Sequence, residues 1–446
     1  MREKSKKQLP LMNLMPDHPQ ARELDRISRI LDQETTIVAL VHQDLCRGRE
    51  LRDTGAYGMS AEQVLRAAIV KQMFGFSYEL LPFHLADSTS LRGFCRIGIA
   101  DKWFKKSAIA KNIKRIGAGT WEQINRILVA HGNAEKIEKG RQVRIDCTVV
   151  ESNIHPPTDA TLLFDSVRVL ARILDVMRQR GVRVQFTDHC RRAKRRVLAV
   201  QYSKKESQRT AAYRDLLKLA GKTVGYATAA IPLAKGMPGF EGVGFCAELE
   251  RYVVLAGKVI AQTQRRVLKG ESVPAAEKIV SIFEPHTDII VKDRRATYYG
   301  HKVCLCVGVS NLITDCVITD GNPADTELTL TMLDRQHEIY GRYPLKVALD
   351  GGFASKANLA AAKERQIKDV CFAKKRGLEV ENMCRSQWVY NRLRRFRAGV
   401  ESIISWIKRS LGFDRCTWKG QRSFGSYVWL SAVTANLITL ASAKAV

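Results

Sequence analysis

The chain is 446 residues long, and 45% of its residues are hydrophobic, which is enough for a folded interior and excludes global disorder. Its 73 Lys and Arg residues outnumber 45 Asp and Glu residues, so the formal net charge is +28 at pH 7. Such an excess repels itself in a compact fold, and it therefore indicates a polyanionic partner, DNA or RNA. A ribosome-like RNA binder and a merely basic soluble protein are the alternatives. The length predicts two or three domains.

The eleven cysteines are scattered, with no C-x-x-C pair and no cluster at zinc-ligand spacing, so they predict free thiols in a reducing compartment. The basic N-terminus lacks the apolar core of a signal peptide. No apolar stretch reaches the length of about eighteen residues that a membrane span needs. The nearest one, from Tyr427 to Ala441, predicts a buried helix. We therefore expect a cytoplasmic protein with no membrane partner.

Residues 1–140 predict an all-α N-terminal domain. Ser60-Ala-Glu-Gln63 is a capping-box pattern that opens a helix with an apolar period. A second helix is predicted after Ser107, and Gly117-Ala-Gly119 separates it from a third that opens at Thr120. Two short helices across a glycine turn suit a helix-turn-helix DNA-binding domain. A helical bundle with a solvated basic face is the alternative.

The residue pattern changes near position 143. Val143–Val150 is rich in β-branched residues and predicts a strand, and a mostly helical, basic insert follows at about 158–280. The remaining predicted elements are strands at 302–309 and 312–319, a helix at 325–340, a strand at 345–350, a helix at 355–365, a strand at 367–373 and a helical region at 390–412.

Without the insert, this order is β-β-β-α-β-α-β-α. It resembles the ribonuclease-H-like fold, an α/β fold in which a mixed sheet carries helices on both faces. Residues 141–446 are therefore predicted to form an α/β, ribonuclease-H-like domain with a large helical insert after its first strand, behind the all-α N-terminal domain.

Three acidic residues stand where such a fold places its chemistry. Asp146 lies in the first predicted strand between Ile145 and Cys147, and Asp350 ends the strand predicted to lie beside it. Ligands of α/β folds gather at the carboxyl ends of the strands. Glu401 lies on the last predicted helix. Because Mg²⁺ prefers hard oxygen ligands, three converging carboxylates would suit a magnesium site.

Each carboxylate also has a purely structural interpretation. Asp146 could form a salt bridge, Asp350 could end a strand in a turn, and Glu401 could be one charge on an amphipathic helix. Helical spacing favours the functional interpretation of Glu401, because Arg397 and Lys408 share its face of the helix.

The residues around Glu401 resemble a motif of a known family. Arg397-x₃-Glu401-x₆-Lys408 matches the R-x₃-E-x₆-K core of the Y-x₂-R-x₃-E-x₆-K signature of bacterial insertion-sequence DDE transposases, with Arg394 at the Tyr position. Asp350-Gly-Gly-Phe353 resembles the second motif of the family, and the Asp-x-Thr that begins at Asp146 resembles the first. Further similar stretches are Tyr299-Gly-His-Lys302, Gly321-Asn-Pro-Ala-Asp325, the helix after Ser60, and Asp87-Ser-x₃-Arg92-x-Phe94.

The resemblance implies a role for each residue. Asp146, Asp350 and Glu401 would be the catalytic residues and the ligands of two Mg²⁺ ions, for which Mn²⁺ would substitute. Arg397 would hold phosphates of the DNA as a bidentate fork and Lys408 as a point charge. Water would cut the phosphodiester at the end of the element, and the freed 3′-hydroxyl would attack target DNA in the same site.

Further basic residues are predicted DNA contacts, because charge clusters of this kind neutralise phosphates. They are Lys111 and Lys114 in the N-terminal region, Arg191, Arg192 and Arg195 in the insert, and Arg394 and Arg395 beside Glu401. A solvated charged face is the alternative in each case.

The implied partners are double-stranded DNA, as element ends and target, and a second copy of the chain in a DNA-bound homodimer. The implied location is the bacterial cytoplasm, on the nucleoid when DNA is bound. Two rival functions remain: a nuclease of the same fold that cuts without joining, and a non-catalytic DNA-binding regulator.

Overall fold

The computed structural model describes residues 4, 17–48, 58–98, 101, 103–292 and 296–443. They fall into two compact units, one of Met1–Glu151 with His301–Val446 and the other of Ser152–Gly300. The N-terminal region and the sheet thus share the first unit, and a domain boundary at residue 140 stays a prediction. The basic N-terminal segment, which was predicted not to be a signal peptide, lies mostly outside the described residues.

Seven helices precede the first strand in the described residues: α1 (Pro19–Gln33), α2 (Thr35–Cys46), α3 (Ala61–Met73), α4 (Leu80–Asp87), α5 (Thr89–Phe94), α6 (Lys106–Ile113) and α7 (Ala118–Ala134). The capping box of α3 is confirmed, since the Gln63 backbone N–H donates to the Ser60 hydroxyl and the Ser60 N–H to the Gln63 side chain. Helix α7 begins before Thr120 because that hydroxyl donates to Asp44, at 2.6 Å, instead of capping the helix.

The first unit is built on a mixed sheet. Its strands are β1 (Gln142–Glu151), β2 (Asp288–Lys292), β3 (Ala296–Gly308), β4 (Ile313–Ile318), β5 (Lys346–Leu349) and β6 (Asp369–Phe372), where β2 and the start of β3 belong to the second unit. The order is β2-β3-β1-β5-β6, and β4 pairs with β3. The pairs β1–β5 and β5–β6 are parallel, and β2 and β4 run antiparallel to β3. The predicted α/β, ribonuclease-H-like class is confirmed, although β2 was not predicted.

Alternating side chains of β3 separate two hydrophobic cores. Val303 and Leu305 point into one core, shared with the N-terminal helices, and Cys304 and Cys306 point into the other. The helices after the sheet strands are α12 (Asp325–Tyr340), α13 (Lys356–Glu364), α14 (Val380–Met383), α15 (Gln387–Ser410) and α16 (Gln421–Ala443). All eleven cysteines are thiols outside any disulfide, as expected.

Helix α16 lies at the centre of the first core, where it packs against α1, α3, α7 and β4. It is the one described helix that is long and apolar enough to cross a membrane, but 83% of its apolar window is buried inside the protein. The prediction of a buried helix from Tyr427 to Ala441 is thus confirmed.

The second unit is mostly helical, as predicted for the insert. Its long helices are α8 (Asp159–Gln179), α9 (Cys190–Tyr202), α10 (Glu206–Lys235) and α11 (Gly239–Thr263), which enclose a separate hydrophobic core.

Candidate active site

The register of two parallel strands brings the two aspartates together. Ile145 of β1 pairs with Leu349 of β5, so the next residues, Asp146 within β1 and Asp350 just after β5, lie side by side where the β1–β5 pairing ends. Asp350 directly follows β5 and caps the short 3₁₀ turn Gly351–Phe353. Two carboxylates therefore lie together at the carboxyl end of β5, and the carboxyl ends of strands are where α/β folds bind ligands.

Helix α15 crosses this edge and is held there by a buried arginine. Arg144 lies two residues before Asp146, on the same face of β1, and its Nη1 donates to the Phe396 carbonyl at 2.9 Å. Its guanidinium also lies over the Phe396 ring, 4.7 Å from the centroid, and donates to the Asn311 side chain. Burial lowers the pKa of Arg144.

Gly399 makes this close approach possible. A Cβ at that position would lie 2.2 Å from Arg144 Nη1, a distance that no side chain tolerates. Sequence reasoning missed both Arg144 and Gly399. The signal available was the alternation of β1, which puts residue 144 on the same face as Asp146.

Arg397 joins the three predicted carboxylates. Its Nη2 lies 3.0 Å from Asp146 Oδ2 and 3.3 Å from Asp350 Oδ1, and its Nη1 lies 2.7 Å from Glu401 Oε1. The structure thus brings Asp146, Asp350 and Glu401 together from three separate elements around one guanidinium, which was itself predicted to contact phosphate.

The cluster is graded from buried to exposed. The side chain of Asp146 is 13% exposed and that of Arg397 14%, whereas Glu401 is 66% exposed. Three carboxylates and one guanidinium leave a formal excess of negative charge that a further cation would neutralise. In the described part of the chain, no group of three or more His, Cys, Asp or Glu side chains is arranged to hold a metal ion. The three carboxylates nevertheless surround one guanidinium with hard oxygen atoms, which are the ligands that hard divalent cations prefer.

The two glycines that follow Asp350 allow charged side chains to pack closely against the turn after β5. A Cβ on Gly351 would lie 2.6 Å from the Lys374 side chain, and one on Gly352 would lie 2.5 Å from Asp325. Asp325 in turn pairs with Lys302 at 3.0 Å. The stretches that end at Lys302 and Asp325 therefore meet beside the Asp350 turn.

The other residues of the signature lie apart from the carboxylates. Lys408 pairs with Asp414, with its Nζ 3.4 Å from the carboxylate. Arg394, at the Tyr position, is exposed on α15. The nearby Tyr390 is buried, and its hydroxyl donates to the Phe372 carbonyl at 3.1 Å, so it belongs to the core.

The other predicted DNA contacts are on the surface. Arg395 is exposed on α15, Lys111 and Lys114 are exposed at α6, and Arg191 and Arg195 are exposed on α9. Arg192 on α9 forms an ion pair with Asp215 at 2.7 Å, so part of its charge is already compensated. Helix α6 packs against α3 and α4, whereas α7 packs against α2 and α16.

Two family sequence models match the chain. The model described as the transposase DDE domain matches residues 283–437, and the one described as transposase domain (DUF772) matches residues 12–115. The chain belongs to the DDE transposases of insertion sequences. No curated protein and no solved structure matches it significantly.

Transposases act on DNA, which supports DNA as the partner of this chain. DDE domains generally depend on divalent metal ions. The matched DDE range includes Asp350, Arg397 and Glu401. Asp146 lies before it, separated by the second unit of the transposase. Its place in the cluster therefore rests on the β1–β5 register and on its contact with Arg397.

Proposed function

We propose that this transposase binds the terminal inverted repeats of an insertion sequence and catalyses Mg²⁺-dependent DNA cleavage and strand transfer. The observation that carries the proposal is the convergence of Asp146, Asp350 and Glu401 on Arg397. Asp146 lies in β1 and Asp350 follows the adjacent parallel strand β5, whereas Arg397 and Glu401 lie on one helix. The two aspartates come together although they are 204 positions apart in the chain (350 − 146).

Asp146, Asp350 and Glu401 would hold two Mg²⁺ ions, or Mn²⁺ in their place. When bound, such a pair of ions activates the attacking oxygen and stabilises the leaving oxygen of a phosphodiester. Asp146 is the most enclosed of the three carboxylates, so it would fix the inner end of the site. Glu401 is largely exposed and accepts a hydrogen bond from Arg397.

The basic residues of the same helix would position the DNA. Arg397 presents a fork of N–H donors, which suits a phosphate as well as a carboxylate. Arg394 and Arg395 extend the positive charge along the exposed side of α15. Lys408 would have to release Asp414 to contact a phosphate, and this exposed pair costs little to separate.

Further basic residues, Lys111, Lys114, Arg191, Arg192 and Arg195, would contact the DNA away from the cut. Because an insertion sequence has two ends, we propose a DNA-bound homodimer that acts on the nucleoid in the bacterial cytoplasm.

The test is incubation of the full chain with Mg²⁺ and DNA that carries the terminal repeats of its own element. We expect cleavage at the repeat ends and joining of the freed 3′-ends to target DNA. Asp350→Asn and Glu401→Gln should abolish both reactions. Glu381→Gln, a change at an exposed carboxylate on α14, is the matched control and should not.

Cleavage that persists in Asp350→Asn would refute the assigned site. Cleavage without joining would identify a nuclease instead of a transposase. DNA binding without cleavage would identify a regulator.

A further inference from the structure

Two lysines in the first unit lie against the same aromatic ring. Lys71 is on α3, and Lys114 follows α6 directly. The Nζ of Lys71 is 4.9 Å from the centroid of the Tyr78 ring, and that of Lys114 is 5.4 Å from the same centroid. Lys114 Nζ also lies 6.0 Å from the ring of Trp418, in the segment between α15 and α16. We call these four residues the lysine–aromatic cluster.

The charges of this cluster are not balanced by acidic residues. Lys71 is only 7% exposed. In the part of the chain that the structure describes, both ammonium groups contact aromatic rings and neither forms an ion pair with a carboxylate. A buried ammonium without a counter-ion is costly, and the electrostatic attraction of a ring offsets only part of that cost.

Two hydrogen-bond donors in the cluster are also unused. Among the described residues, the Tyr78 hydroxyl and the Trp418 indole Nε1 are buried and have no hydrogen-bond partner. Both groups can donate, and a buried donor without an acceptor destabilises the fold. The two ammonium groups and the two unpaired hydrogen-bond donors of the cluster are complementary to an anion that carries several acceptor oxygens.

The electrostatic surroundings of Lys71 agree with this geometry. Burial, and then the neighbouring charge of Lys114, lower the pKa of Lys71 to about 8. The other titratable groups around it are Tyr78, Cys416 and, through Tyr78, Tyr427 of α16. None of these groups is a carboxylate, so a bound anion would be the first negative charge next to Lys71.

We propose that the lysine–aromatic cluster binds a phosphate group of the DNA backbone. The inference rests on the proposed function only in taking DNA as the ligand. Lys114 is exposed and gives a phosphate access, while Lys71 and the two buried donors lie deeper. A tetrahedral phosphate oxyanion offers enough acceptors for two ammonium groups and two neutral donors at once.

The proposed phosphate site would connect the N-terminal helices with the segment between α15 and α16. Lys71 and Lys114 belong to the N-terminal helices, whereas Trp418 lies on the segment that follows the helix of Arg397 and Glu401. A phosphate bound there would contact both parts of the unit, so DNA recognition by the N-terminal helices would be coupled directly to the segment behind the carboxylate cluster.

The test measures DNA affinity without catalysis. A fluorescent DNA duplex is titrated with the full chain in EDTA, so that the result does not depend on metal or cleavage. We expect Lys71→Met and Lys114→Met each to weaken binding about tenfold, since each removes a charged hydrogen-bond donor to the phosphate. Each change should also lower the slope of log affinity against log salt by about 0.9. Lys139→Met, at an exposed lysine of the same unit, is the charge-matched control, and we expect less than about a twofold change from it.

A second readout observes the site directly. The indole N–H resonance of Trp418, assigned with Trp418→Phe, should move when the DNA duplex is added, and inorganic phosphate at constant ionic strength should move it in the same direction. The shift should be lost in Lys114→Met, which changes an exposed residue and leaves the core intact.

Three results would overturn the proposal. One is equal DNA affinity for both variants and the control, and another is a Trp418 resonance that DNA does not move. The third is a response to inorganic phosphate but not to DNA, which would make the cluster a site for a free anion. A chain that binds DNA through the cluster but cuts none would refute the proposed function and leave this inference standing.

Discussion

The carboxylate cluster and the lysine–aromatic cluster differ in how they satisfy a buried cation. Arg397 has three carboxylate partners within 3.3 Å, so its charge is more than balanced. Lys71 is more deeply buried and has no carboxylate partner in the described residues, only an aromatic ring and a second cation nearby. One site carries excess negative charge and the other excess positive charge.

The difference shows which ligand each site lacks. The carboxylate cluster would gain from additional cations and the lysine–aromatic cluster from an anion. A metal-dependent enzyme acting on DNA needs both kinds of site, and here the two lie in the same compact unit.

The largest expected effect is on the carboxylate side of this comparison. Asp146→Asn should lower cleavage by at least about 100-fold, because even the outer partners of metal ligands are worth about 10–100-fold. The measurement is the rate of cleavage of repeat-end DNA. Glu151→Gln, at the end of the same strand, is the control and should retain activity. An active Asp146→Asn enzyme would remove Asp146 from the site.

The next effect concerns the support of Arg397. Gly399→Ala would place a Cβ against Arg144 and should lower the free energy of unfolding by about 2 kcal/mol, the usual cost of overpacking. The matched control is Gly119→Ala on α7, where a Cβ meets nothing within 4 Å. There the higher helix propensity of alanine should stabilise the protein, by about 1 kcal/mol or less. Denaturant unfolding of both variants measures the two changes in the free energy of unfolding. Equal effects would show that α15 and Arg144 can shift apart to accommodate a Cβ at position 399.

A smaller effect concerns metal affinity. Arg397→Met removes the cation that the three carboxylates already bind, so Mn²⁺ should bind about tenfold more tightly, a change of about 1.4 kcal/mol. Calorimetric titration of the DNA-free protein with Mn²⁺ measures this directly. Unchanged or weaker binding would mean that Arg397 organises the carboxylates instead of competing for them.

The smallest effect tests the lysine side through pH. The folded-state pKa of Lys71 lies near 8, below the ordinary value of 10.5, so the unfolded chain binds more protons between these values. Stability due to this group therefore rises as pH increases through 8, by about 1 kcal/mol between pH 7 and 9. The stability of wild type relative to Lys71→Met should rise by that amount, and a constant difference would show that Lys71 titrates normally.

Local pattern was enough to predict much of the fold and part of the site. The strands of Asp146 and Asp350 stood out because β-branched and apolar residues surround them, and the i, i+4 spacing of Arg397 and Glu401 predicted their shared face, where they form an ion pair. Arg397 and Asp146 are 251 residues apart in the sequence, and their contact depends on the register of the sheet strands. No local spacing carries that information.

Burial of charged residues was the least predictable property. Helix α3 was predicted to have one apolar face, yet it is buried on all sides, including Arg66 and Lys71. Arg66 pairs with Asp32 and Glu62, whereas Lys71 lies against the ring of Tyr78. Strand β2 was missed because its five residues follow an irregular stretch and form a strand only by pairing with β3.

The position of α16 sets an order of events during synthesis. Helices α1, α3 and α7 complete their core by packing on α16, but roughly 290 residues separate the end of α7 from its start. At about 5–20 residues per second, the ribosome needs roughly 15–60 s to make that stretch. The N-terminal helices therefore spend this interval with apolar surface uncovered, and a nascent chain interrupted before Gln421 would leave them without their central partner.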